Sequence, residues 1–221
     1  MELPLTKFLD PADFATLHER TAGQLPTDVL EGQHPQRDWE YRMALVAYQD
    51  WQRAFIGPLR TPLRILDVGG GGSAFSAAFP PPYFETTVVD PDQPPRSYAT
   101  WIPLGIEEDD PRLPTQVEII FALSVIEHVA HPKAFFTGVA RRLVPGGLLF
   151  LTADAWDCDG PDVAHFHWMR QRIYNRQTWQ RMLDHLSSVG LHRFGEADWI
   201  FRGNQVYDYS FISAALIKEG V

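Results

Sequence analysis

A short, largely apolar run that breaks into four consecutive glycines constrains this chain more than any other feature. Leu63 to Val68 carries a single acid, Asp67, and Gly69 to Gly72 follow at once. The run reads as a buried strand of a parallel sheet. Four glycines suit neither helix nor strand. They permit positive φ, and they let a ligand lie against bare backbone because no Cβ intervenes. A strand ending in such a turn is the usual opening of a nucleotide-binding α/β unit.

The remaining elements can be read outward from that strand. Residues 36–56 suit a helix, with Trp39, Met43, Val46, Ala47 and Ala54 at helical spacing. Pro11 sits well at the first position of a short helix after Asp10. Ser73 to Phe79 reads as a short helix stopped by Pro80-Pro81-Pro82. Strands are expected at 85–90, 98–106, 117–123 and 148–152, with a helix over 132–143. Residues 153–172 read as a long loop. Asn175 suits an N-cap for a helix to Val189, with Gly190 just past its end. Two last strands, about 191–201 and 209–217, have no helix between them and should pair antiparallel at one edge.

This order predicts an α/β, Rossmann-like doubly wound sheet of about seven strands. It is mostly parallel with one antiparallel edge strand, and helices cover both faces. Residues 1–58 read as an N-terminal helical appendage, able to cover a ligand, and 59–221 as the binding domain.

Composition narrows the partners. The net charge of the 221 residues is −9, and no Lys/Arg cluster marks a phosphate-backbone surface, so no nucleic-acid partner is expected. The lone cysteine, Cys158, precludes an internal disulfide and fits a reducing, cytoplasmic setting. Met1-Glu2 and the interrupted apolar stretch after them do not resemble a signal peptide. No apolar run reaches the ~18 residues of a membrane span.

Asp90, ending the strand after Asp67, can accept both hydrogen bonds of a ribose diol. Asp67 would repel a pyrophosphate but suits an ammonium or sulfonium group. At this point the chain resembles the class I S-adenosylmethionine-dependent methyltransferases. Asp67-Val68-Gly69-Gly70-Gly71 resembles the family's acidic-x-Gly-x-Gly loop, and Asp90 stands at its ribose-binding acid. Phe121 to Val129 resembles the segment leaving strand four, and Leu143 to Gly147 the "L-x-P-G-G" turn. The resemblance covers roughly residues 60–155. It implies S-adenosyl-L-methionine as cofactor, with Asp67, Gly69, Gly70 and Gly71 at its methionine part and Asp90 at the ribose. Glu107 and Glu108 would lie near the adenine, and Leu123 and Ser124 along the edge. Ser73 replaces a common third glycine, and the strand-three region lacks the family's "Gly-Asp" pattern.

Gly69-x-Gly71-x-x-Ala74 also fits a dinucleotide fingerprint, which would make the chain an NAD-dependent oxidoreductase. A non-catalytic domain of methyltransferase fold is the other alternative. Glu127-His128 reads as a helix-start signature. His165 and His167, in the acid-rich loop, are the candidate catalytic bases toward a small-molecule acceptor with an oxygen or nitrogen nucleophile. The same H-x-H pair suits a metal, but nothing fixes the acids' register, and no metal is expected. The sequence leaves the oligomeric state open.

Overall fold

The computed structural model describes residues 3–27, 29–30, 33, 36–55, 61–156, 164–166, 171–202 and 210–220. In chain order they form β1 (Thr6–Lys7), a 3-10 turn Pro11–Asp13 running into α1 (Phe14–Arg20), and α2 (Arg37–Ala54). Next come β2 (Leu63–Val68), a 3-10 turn Phe75–Ala78, β3 (Phe84–Val89), β4 (Thr100–Ile102), β5 (Val117–Ala122) and α3 (Pro132–Arg142). The last elements are β6 (Leu143–Ala155), β7 (Ala164–Phe166), β8 (Gln171–Ile173), α4 (Arg176–Ser188), β9 (Leu191–Arg193), β10 (Ala197–Asp198) and β11 (Ser210–Lys218).

Seven strands make the main sheet, in the order β4-β3-β2-β5-β6-β11-β9. The pairs from β4 to β6 are parallel. β11 runs antiparallel to both β6 and β9, one place in from the edge. The chain turns from one side of β2 to the other between β4 and β5. The carboxyl ends of β2 and β5 therefore flank the switch point, where sheets of this kind bind ligands.

Side-chain alternation along the strands feeds two cores. Leu66 and Val68 of β2, with Ile120 of β5, pack under α3 and α4 through Phe135, Val139, Trp179 and Leu183. Leu63 and Ile65, with Ile119 and Phe121, pack under α2 through Trp39, Met43, Val46 and Trp51. Because both faces are covered, these strands are apolar almost throughout. Ala54 is exposed, and Trp51 fills the inner position at that end of α2. The boundary expected at residue 58 falls outside the described residues.

Several expected elements differ for local reasons. The Pro145-Gly146-Gly147 turn does not precede the fifth strand; it bulges within β6, which pairs at Leu143, shifts register and resumes at Leu148. Gly146 takes φ +76° there, and Trp51 Nε1 donates to its carbonyl at 2.8 Å. At its other end β6 runs on to Ala155, because β11 pairs with it as far as Ser210. The stretch read as one long loop thus begins as strand and also contains the antiparallel β7–β8 pair. The glycines feed only a 3-10 turn at Phe75–Ala78 rather than a helix over 73–79. The strand expected over 98–106 keeps three residues, ending at Ile102 ahead of Pro103. The strand expected over 191–201 breaks at Gly195, φ +79°. Its second piece, β10, pairs parallel with β1 instead of with β11. Asn175 caps α4 as expected: it accepts from the Thr178 N–H at 2.8 Å, and Thr178 Oγ1 accepts from the Asn175 N–H at 2.9 Å.

Candidate active site

β2 delivers Asp67 and the glycine loop to the switch point. Gly69 has φ +70°, and its N–H donates to the Val89 carbonyl at 2.8 Å, which clamps the loop to the end of β3. A Cβ on Gly70 would stand 2.5 Å from Asp67 Cγ, so the loop backbone lies directly on that carboxyl group. The Gly71 N–H donates to Asp90 Oδ2 at 2.9 Å. The other oxygen of Asp90 accepts from the Asp92 and Gln93 N–H groups, both at 2.9 Å. Three of the roughly four acceptor positions of a carboxylate are thus taken by loop backbone. Asp90 braces the loop and keeps limited capacity for a ligand.

Two cavities meet at Gly69. The smaller, about 180 Å³, is lined by Arg37, Tyr41, Asp67, Gly69 to Gly72, Arg96 and Leu123. The larger, about 380 Å³, is lined by Val68, Gly69, Val89, Asp90, Leu104, Ile106, Glu107, Ser124 and His128. One is polar and charged; the other is an apolar slot with acids at its rim. A still larger hollow of about 590 Å³ lies among Leu3, Arg20, Asp50, Arg53 and Phe194. It holds none of the loop residues, so size alone does not mark the site.

Of the residues expected at a cofactor, Asp67, Gly69, Gly70, Gly71, Asp90, Glu107, Leu123 and Ser124 line one cavity or the other. Glu108 does not: its Oε1 accepts from the Gly105 N–H at 2.8 Å, which turns it back on its own segment. Glu127-His128 starts no helix. It lies in a turn closed by His128 N–H to the Val125 carbonyl at 2.9 Å, and α3 begins only at Pro132. His165 lies on β7 opposite Arg172 of β8, with its side chain outside the described residues, and His167 lies outside them altogether.

Sequence reasoning allowed the N-terminal segment to cover a ligand but named no functional residue of α2. Arg37, Glu40 and Tyr41 stand at i, i+3 and i+4, so one helix face presents all three to the loop. Arg37 Nη1 donates to Glu40 Oε2 at 2.8 Å and to the Leu123 carbonyl at 3.3 Å. Tyr41 shares a 2.9 Å hydrogen bond with Ser73 and stacks on Phe75. The available signal was a charged pair interrupting an otherwise apolar helix face.

Buried acids gather here. Asp67 is 3% exposed, Glu127 1% and Asp154 2%. Burial, followed by the nearby Asp90 charge, pushes Asp67 up to about 7, against a downward pull from Arg37. Burial and then Glu40 push Asp154 up to about 8. Glu127 is raised well above the ordinary carboxylate range, by burial and then by Asp154, whose N–H donates to its Oε1 at 3.3 Å. Asp67 Oδ2 and Glu127 Oε2 have no hydrogen-bond partner among the described residues. Burial works against the Arg37 charge, yet Glu40, Tyr41 and Glu127 carry its pKa above the ordinary value. No group of three or more His, Cys, Asp or Glu among the described residues could hold a metal. No described helix is long and apolar enough to cross a membrane.

Comparison with known proteins bears on this arrangement. Residues 37–194 match a family described as a methyltransferase domain. A ubiquinone biosynthesis O-methyltransferase of Dechloromonas aromatica is 28% identical over 100 residues, 40% of this chain and 43% of that protein. The match therefore spans less than half of that relative. A Burkholderia thailandensis 1,6-didemethyltoxoflavin-N1-methyltransferase, solved with bound 1,6-didemethyltoxoflavin and S-adenosylhomocysteine, superposes with TM-score 0.61 at 17% identity, covering 100% of this chain and 94% of that one. The N-methyltransferase NodS of Bradyrhizobium japonicum, bound to S-adenosylhomocysteine, gives 0.57 at 15% identity, covering 93% and 97%. At these identities the two structures establish a shared fold.

Proposed function

This chain belongs to the methyltransferase-domain family, and from that premise we propose that it transfers the methyl group of S-adenosylmethionine to a small-molecule acceptor through an oxygen or nitrogen nucleophile. The observation that carries the reading is the pair of cavities meeting at Gly69, between Asp67 and Asp90.

The residues present fit the cofactor. Asp67 Oδ2 is buried without a partner among the described residues, as suits an anion awaiting a cation. Gly70 lies so close to Asp67 that any side chain would fill the cradle. The amino-acid end belongs in the smaller cavity, beside Gly69, Gly70 and Gly71, with Asp67 facing the positive groups and Arg37 the carboxylate. Arg37 is well suited to that role, since its fork presents several donors in fixed geometry. The ribose belongs at Asp90. The adenine belongs in the apolar slot against Leu104 and Ile106, near Glu107, with Leu123 and Ser124 along the edge.

When bound, the cofactor supplies an activated methyl carbon on a sulfonium sulfur, so the protein itself has little covalent chemistry to perform. Its residues orient the acceptor and exclude water, and positioning of this kind can contribute on the order of 7–11 kcal/mol in favourable cases. An acceptor that must lose a proton needs a base. His165 and His167 are candidates from the sequence. The single cysteine fits work in the cytoplasm.

A pyrophosphate is disfavoured on two counts. Asp67 would face it, and the loop feeds a 3-10 turn of four residues, Phe75–Ala78, with no helix N-terminus to hold the anion. Calorimetric titration with S-adenosylmethionine, S-adenosylhomocysteine and NAD tests the proposal. Binding of the first two without NAD is expected; binding of NAD alone overturns it.

A further inference from the structure

The geometry points to Glu40 as a positioning residue of the cofactor site: through Arg37 it fixes where the amino-acid end of the cofactor is held. This rests on the proposed pairing of Arg37 with the cofactor carboxylate.

Glu40 is fully buried, at 0% exposure, and its two oxygens face two ways. Oε2 accepts from Arg37 at 2.8 Å, while Oε1 accepts from Ser124 Oγ at 2.6 Å and from Thr152 Oγ1. Thr152 Oγ1 in turn accepts from the Ser124 N–H at 3.0 Å. One carboxylate thus joins α2, the turn that leaves β5, and β6.

A helix-to-sheet tie needs no charge. Trp39, Met43, Val46 and Trp51 already bind α2 to the sheet through apolar contacts, and burying a carboxylate is costly unless it is fully bonded. What Glu40 adds is orientation. Arg37 feels several acids, its charge acting on Asp67, Glu127 and Asp154 as well as on Glu40. A free guanidinium would distribute itself among them. The Glu40 bond, together with the Leu123 carbonyl, holds Nη1, and the donors on Nη2 and Nε have no partner among the described residues. The same carboxylate fixes the side chain of Ser124, a non-glycine residue at φ +52° on the rim of the larger cavity. Such a backbone conformation persists where its surroundings over-determine it.

The test compares S-adenosylhomocysteine with 5′-deoxy-5′-methylthioadenosine, which carries the adenine and ribose without the amino-acid end. Calorimetric affinities are measured for the wild type, R37M, E40Q and the double variant. E40Q should weaken S-adenosylhomocysteine at least about tenfold while leaving methylthioadenosine within about twofold, as expected when a charge-assisted contact is lost at one end of a ligand. The double variant should match R37M. Equal weakening of both ligands in E40Q shows a merely structural role and overturns the inference. So does an unchanged affinity ratio in E40Q when R37M shifts it. An unchanged ratio in R37M instead overturns the Arg37 assignment beneath it. If E40Q does not fold, T152V, which removes another partner of Glu40, carries the test: a lowered ratio supports the inference and a wild-type ratio sinks it.

Discussion

Replacing Asp67 with Asn should stabilise the ligand-free protein at neutral and alkaline pH while damaging cofactor binding. The carboxyl group is 3% exposed, Oδ2 has no partner among the described residues, and its pKa rises from 3.8 to about 7. At ~1.4 kcal/mol per pH unit that displacement corresponds to about 4 kcal/mol. The sign follows from proton binding. Below about pH 4 both folded and unfolded chains hold the proton, and Asp67 carries no charge penalty. Between about 4 and 7 the unfolded chain releases it while the folded chain keeps it, so stability falls as pH rises; above 7 the whole penalty stands. An asparagine has nothing to titrate. The stability of Asp67→Asn minus that of the wild type should therefore grow from about 1 kcal/mol at pH 4.5 toward ~4 kcal/mol at pH 8. Urea unfolding of both proteins at the two pH values measures it. Glu127 and Asp154 titrate in both proteins, so their contributions cancel to first order. A difference independent of pH, or a less stable variant at pH 8, would refute the reasoning. The same variant should bind S-adenosylmethionine more weakly, the trade expected where a site stores destabilising groups for its ligand.

Three further substitutions test separate parts of the structure. Asp90→Ala removes three backbone hydrogen bonds as well as the proposed ribose contact, so it should cost the ligand-free fold about 1–3 kcal/mol and weaken S-adenosylmethionine at least about tenfold by calorimetry; unchanged binding would sink the ribose assignment. Gly70→Ala places a Cβ 2.5 Å from Asp67 Cγ, and it should abolish detectable S-adenosylhomocysteine binding in a protein whose circular dichroism stays native. Asn175→Ala removes the capping box of α4 and should lower the urea-unfolding free energy by about 1 kcal/mol without altering cofactor affinity; a loss of affinity would tie α4 to the site.

The strand-and-glycine feature was legible because burial on both faces and backbone approach each leave a plain residue signature. Leu63–Val68 forms as read, Asn175 caps as read, and the loop stands between Asp67 and Asp90. Two kinds of information were not legible. The first is pairing that overrides local turn chemistry: Pro145-Gly146-Gly147 looks like a stop, yet β6 continues through it because β5 holds one side at Leu143 and again at Leu148. The second is the chemistry that α2 brings from far away in sequence. Arg37 and Glu40 stand out locally only as a charged pair on an apolar helix face, and only the fold sets them against Leu123, Ser124 and Thr152. Glu127 shows the same limit, since a residue that looked like a helix start is a buried carboxyl facing Asp154.

The placement of charge explains why the site favours a cationic ligand. Asp67, Glu40, Glu127 and Asp154 all lie at the carboxyl end of the sheet, and the charge of Arg37 bears on all four. Bonded to Glu40, it leaves Asp67 and the Glu127–Asp154 pair to lower their charge by holding protons. Asp67 and Asp154 cannot relax apart, because their backbones are set by strand register, Asp67 against Phe121 and Asp154 against Phe211, inside a sheet packed on both faces. A ligand that brings positive charge to Asp67 relieves part of this load and stabilises the fold by mass action. An anionic ligand would add to it. Charge at one end of the sheet therefore reaches the same conclusion as the glycine loop does through shape.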